Sequence, residues 1–174
     1  MAAFTESGMQ FEIPDENLFC IEKSNFFIGK KNLSTVEFLC FNEEKLCFVE
    51  AKSSFPKAAN IEDFNKNLNA IARKFFCSFE LFLSHFVGVN PLIEEETQER
   101  FLNHDFSKGI PIRFVLIINC SKINPGAIEG MTNTIQNSFL NIFKAHKSIW
   151  NIKFIALDHA MAMEKGFIKS FDNS

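Results

Sequence analysis

A chain of 174 residues, 47% hydrophobic and 22% charged, can bury a two- or three-layer core within one domain and is too apolar for wholesale disorder. Its aromatics are 23 Phe, one Trp and no Tyr, which excludes any mechanism that needs a tyrosine nucleophile or a phenolic acid. A formal net charge of −3 counts against general affinity for nucleic acid, which comes largely from neutralising phosphates, but it is compatible with a local basic patch.

In chain order, the first eight residues lack the basic and apolar regions of a signal peptide. Met9–Ile13 and Leu18–Glu22, separated by Pro14-Asp15-Glu16, predict two short strands. Val36–Asn42 and Lys45–Lys52 are rich in Phe, Val, Leu and Cys and predict an antiparallel hairpin. Asn60 is placed to cap a helix with Glu62 and Asp63 in its first turn, and Ile61, Phe64, Leu68, Ile71, Phe75 and Phe79 mark its apolar face. This helix ends near Phe86 or Gly88, and a short polar helix is expected over Glu94–Leu102. Ile110–Asn119 reads as a strand buried on both faces, followed by a helix from Pro125 to about His146. A strand over Trp150–Leu157 and a short helix capped by Asp158 complete the chain.

The run from Phe75 to Val89 is interrupted by Glu80 and His85 and is too short to span a bilayer, so no membrane association is expected. Cys20, Cys40, Cys47, Cys77 and Cys120 are scattered without a C-x-x-C pair, which suits reduced thiols in a cytoplasmic protein. Neither a repeat nor a linker composition divides the chain, so residues 1–174 are read as one domain.

The hairpin carries the chemistry. A two-residue loop Glu43-Glu44, closed by Asn42 and Lys45, sets Phe41 opposite Leu46, Leu39 opposite Phe48 and Glu37 opposite Glu50. Strand alternation then puts Glu50 and Lys52 on one face and the pair Cys40 and Cys47 on the other. Directly opposed side chains have Cβ atoms roughly 4.5–5.5 Å apart, where two carboxylates repel. A divalent cation between Glu37 and Glu50 would resolve that repulsion, because Mg²⁺ is held by one or two carboxylates together with phosphate oxygens. Lys52 could then polarise an attacking water or steady charge on the phosphate. A solvated strand face is the alternative reading of the same residues.

The segments Val36-Glu37-Phe38 and Phe48-Val49-Glu50-Ala51-Lys52-Ser53-Ser54 resemble the acid-then-E-x-K signature of the PD-(D/E)xK nuclease superfamily. The resemblance implies a three-layer α/β domain of restriction-endonuclease-like type, a small mixed sheet flanked by helices, with its core over about 34–157. It also implies a nuclease hydrolysing phosphodiester bonds with Mg²⁺ or Mn²⁺, in which Glu37 and Glu50 bind the metal and Lys52 assists the water. Members of this group often pair up, so a homodimer is compatible with it. The upstream acid here is Glu rather than the commoner Asp, and without Tyr the Q-x-x-x-Y element of the RecB-like members is absent. An additional upstream carboxylate, supplied in many members by a preceding helix, could fall on Glu16 or Glu22. A catalytically inactive binding or regulatory module of the same fold is the alternative function.

Lys66, Asn69 and Arg73 form a polar stripe on the helix after Asn60 and, with Lys57 before it, could meet a phosphate backbone, or simply face solvent. Lys30 and Lys31 carry the same two readings, and Glu94-Glu95-Glu96 form a local acidic patch that reads as solvated. His85, amid Phe82 and Phe86, reads as a satisfied semi-buried side chain, and Asp158-His159 as a cap rather than a dyad. The four His make no zinc motif and the seven Gly make no phosphate-binding loop.

Overall fold

The structure is a computed structural model and describes residues 1–25, 33–92, 97–105, 109–119 and 125–169. Lys30, Lys31, Glu94, Glu95, Glu96 and Cys120 lie outside the described residues.

Two strands, β1 (Ala2–Glu6) and β2 (Met9–Ile13), form an antiparallel ribbon, and five more form a mixed sheet. The sheet runs β3 (Leu18–Phe19), β4 (Phe38–Asn42), β5 (Lys45–Lys52), β6 (Ile112–Ile118) and β7 (Lys153–Asp158) in spatial order. The first three strands are antiparallel, whereas β5, β6 and β7 are parallel. The parallel pairs are joined by helical crossovers, α1 (Ile61–Phe86) with α2 (Glu99–Leu102), then α3 (Pro125–Ile142) with α4 (Lys144–Trp150). A short α5 (His159–Glu164) ends the described fold, capped by Asp158, whose Oδ1 accepts from the Met161 N–H at 2.8 Å.

The β4–β5 register is the one the Glu43-Glu44 turn predicts: Asn42 pairs with Lys45, Phe41 with Leu46, Cys40 with Cys47 and Leu39 with Phe48. Glu43 takes a left-handed φ of 54°, a backbone sign suited to a tight two-residue hairpin turn. Alternation along β5 then divides the core. Leu46 and Phe48 face α1 together with Phe114, Leu116, Phe64, Leu68, Ile71, Phe75 and Phe79, all of them buried. Cys47, Val49 and Ala51 face the other way, against Met9, Phe11, Val115, Ile117 and Ala162. Phe75 stacks on Phe114 at 4.9 Å between ring centroids, which fixes α1 over the sheet centre.

A mixed α/β fold with a mixed sheet and helices is therefore present, compatible with three layers, with the long helices α1 and α3 on one face. The second face is covered by the β1–β2 ribbon and α5. The strand β1 is not anticipated in the sequence because Phe4 is its one large apolar residue. Its turn is Ser7-Gly8, and Gly8 has a φ of 74° with Asn119 Nδ2 3.1 Å from where a Cβ would sit, so glycine fits this turn on both counts. The strand expected over Leu18–Glu22 stops at Phe19 and becomes a 3₁₀ turn, Ile21–Lys23. The helix expected to run to about His146 breaks at Phe143, which is buried against Phe75 and Phe154, and Trp150 ends α4 rather than opening β7. Ile61 is exposed, because it lies in the first turn of α1, beyond the reach of the core. No helix among the described residues is long and apolar enough to cross a membrane.

Candidate active site

The cluster is assembled by β5, the entry to β4 and the middle of α1. Glu50 and Lys52 alternate with Ala51, so both project toward α1, and Glu50 is fully buried. Glu37 occupies the bend just before β4, one step beyond the last ladder pair, Phe38 with Val49, which carries it toward Glu50. The approach is fixed from the helix: Ser78 Oγ accepts a hydrogen bond from the Val36 N–H at 2.8 Å. One turn earlier on α1, Lys74 reaches both carboxylates. Its Nζ lies 3.3 Å from Glu37 Oε1, 2.8 Å from Glu50 Oε1 and 3.1 Å from Glu50 Oε2. Lys52 Nζ is 2.7 Å from Glu50 Oε1.

Glu37, Glu50 and Lys52 share this cluster, but Glu37 comes from the bend before β4 and not from a strand position paired with Glu50, and Lys74 joins them. Sequence reading places the polar face of α1 one residue away, at Arg73. The signal for Lys74 is the line Ile71, Lys74, Ser78, in which two polar residues interrupt an inward-facing row. Glu22, on the 3₁₀ turn after β3, adds a third carboxylate through a side-chain hydrogen bond with Glu37. Glu16 lies on the earlier 3₁₀ turn, Asp15–Asn17. Lys57, Lys66 and Arg73 are exposed, on the loop before α1 and on its outer surface. Lys57 also lines a cavity of about 470 Å³ with Phe55, Phe64 and Met131.

Burial governs the electrostatics. It raises the Glu50 carboxyl above its ordinary value, opposed by the charges and hydrogen bonds of Lys74 and Lys52. Burial also raises Glu37, with the Glu22 hydrogen bond adding to the shift and Lys74 opposing it. For Lys74, burial works to lower the pKa, but the charge and hydrogen bond of Glu50, then those of Glu37, outweigh it and leave it raised.

The donor set suits a hard divalent cation: convergent carboxylates, with Glu50 Oε1 buried beside two ammonium groups yet lacking an aligned hydrogen bond. The place between the carboxylates is taken by the Lys74 ammonium, and among the described residues no three His, Cys, Asp or Glu converge in ligating positions. A divalent cation here would take Glu37 and Glu50 as its carboxylate ligands, with water or substrate oxygens completing its shell.

The remaining motifs are structural. His85 Nδ1 accepts from the Leu92 N–H at 3.1 Å, which leaves Nε2 to donate to the Leu102 carbonyl at 3.1 Å. Cys20, Cys40, Cys47 and Cys77 are free thiols. Burial and a hydrogen bond with Cys47, the latter the larger effect, push Cys40 well above the usual thiol range.

Against family models, characterised proteins and solved structures, the chain has no match.

Proposed function

We propose that this chain is a Mg²⁺-dependent nuclease with a restriction-endonuclease-like domain. The observation that carries the reading is the convergence of Glu37, from the bend before β4, and Glu50, from β5, on a single cationic position, with Lys52 beside Glu50. The order of hairpin, helix, parallel strand, helix and strand supports it. Glu37 and Glu50 would hold Mg²⁺ or Mn²⁺ through carboxylate oxygens. When bound, the ion supplies Lewis-acid polarisation of a phosphoryl oxygen and a more acidic water. Lys52, the most exposed member of the cluster apart from Glu22, offers its ammonium to negative charge developing on the phosphate. Lys57, Lys66 and Arg73, exposed on the loop before α1 and on that helix, would be the cations that meet phosphates of a nucleic acid.

One observation favours the non-catalytic module instead: the Lys74 ammonium already occupies the place between the two carboxylates. The deciding experiment is a cutting assay with Mg²⁺ or Mn²⁺ on DNA and RNA, single-stranded and duplex, with Lys52→Ala alongside. Cutting by the wild type and none by a folded Lys52→Ala supports the nuclease. No cutting of any substrate, with no effect of either metal on melting, supports the module.

A further inference from the structure

We infer that Lys74 is an exchangeable counter-ion of the carboxylate pair, so that a divalent cation and a phosphodiester anion bind this site cooperatively. The inference rests on the metal-site reading above and adds to it an order of affinities that the charges dictate.

Glu37 and Glu50 contribute two negative charges, and Lys52 and Lys74 two positive ones, all within 3.3 Å of a partner. Glu22, exposed beside Glu37, brings a third carboxylate to the rim of the cluster. The three carboxylates outnumber the two ammonium groups by one. A divalent cation entering between Glu37 and Glu50 must displace Lys74, since both occupy the same position between the carboxylates. The displaced ammonium stays tethered to the middle of α1, within reach of the same pocket.

With the cation bound and Lys74 retained nearby, the site holds about one surplus positive charge in a setting where Glu50 is fully buried and Glu37 and Lys74 are mostly so. Surplus charge in a poorly screened site is costly, and it opposes metal binding in the absence of an anion. A phosphodiester contributes one negative charge plus oxygens that can complete the cation's shell and accept from Lys74 and Lys52. Each ligand then lowers the cost of the other, and by linkage the effect is reciprocal. The lysine that blocks the cation in the free protein becomes a phosphate contact in the loaded one.

The test measures Mn²⁺ affinity by the loss of the free-ion EPR signal, with and without dimethyl phosphate, the smallest phosphodiester. For the wild type, dimethyl phosphate should tighten Mn²⁺ binding by about 5- to 150-fold, the usual range of coupling between sites. Lys74→Met should bind Mn²⁺ more tightly than the wild type when the anion is absent and should show little further gain when it is present. Lys74→Gln, which keeps hydrogen-bond donors, serves in place of the Met variant if that does not fold. A wild-type readout needs no variant: the Lys74 ε-methylene NMR resonance should shift on adding Mg²⁺. Equal Mn²⁺ affinity in wild type and variant, no effect of dimethyl phosphate, or an unmoved Lys74 resonance with metal bound would overturn this inference while leaving the metal site standing. No Mn²⁺ binding by any of these proteins under either condition would overturn the metal site itself.

Discussion

Lys74 Nζ lies 2.8 Å from Oε1 and 3.1 Å from Oε2 of Glu50, so one ammonium faces both oxygens of a carboxylate that solvent does not reach. Removing one partner of such a pair leaves a buried charge uncompensated, which typically costs about 3–5 kcal/mol. Lys52 still faces Glu50 Oε1 at 2.7 Å, so Lys74→Met should lose at most about that much stability in metal-free urea unfolding. Adding Glu50→Gln to it should recover the part of the loss that comes from Glu50, leaving the part that comes from Glu37. A Lys74→Met protein as stable as the wild type would show the pair to be solvated.

The pH dependence follows from the same burial. The ordinary carboxyl value is 4.5, and Glu37 and Glu50 both lie above it in the folded protein. Just above pH 4.5 the folded state binds more protons at these groups than the unfolded chain does, so their contribution to stability falls as pH rises through the shifted values. Lys74, raised above 10.5, acts at the other end: its contribution is present below pH 10.5 and is lost as pH rises through its folded value. Melting of the wild type relative to Glu37→Gln, measured upward from pH 4.5, should show the wild type losing ground. A flat difference, or the opposite slope, would contradict the burial of Glu37.

Phe75 stacks on Phe114 and meets Phe143 and Phe154 edge-on at 6.0 Å each. It is fully buried at the junction of α1, the central strand and the second crossover. Phe75→Ala should cost about 3–5 kcal/mol in urea unfolding. A loss below about 1 kcal/mol would mean that α1 does not pack on the sheet through this ring.

On the outer strand β7, the Gln136 side chain stands in for a missing neighbour strand. Its Nε2 donates to the Phe154 carbonyl at 2.6 Å and its Oε1 accepts from the Ala156 N–H at 2.8 Å. Gln136→Ala should expose that edge, lowering stability by about 1–2 kcal/mol and promoting strand-to-strand association. Light scattering against protein concentration checks the second effect; a variant as monodisperse as the wild type would contradict it.

The hairpin and α1 were legible because several local signals agree there. The two-residue turn, the alternation of Leu39, Phe41, Leu46 and Phe48, and the Asn60 cap all act within a few residues. Strand β1 was not legible, since its pairing depends on a Ser7-Gly8 turn that docks on Asn119, over a hundred positions away. Lys74 was missed for a related reason. A lysine beside a buried phenylalanine ordinarily faces water, and only the tertiary meeting of Glu37 and Glu50 under α1 gives it a reason to turn inward. Sequence periodicity located the carboxylates but not the cation that balances them.

The central claim is that Glu37 and Glu50 form a divalent-cation site, and the most direct measurement is anomalous diffraction from a crystal soaked in Mn²⁺. The account predicts a manganese peak between the Glu37 and Glu50 carboxylates, with the Lys74 ammonium moved off both. A map with no peak there, and Lys74 still bridging the two carboxylates, would contradict it.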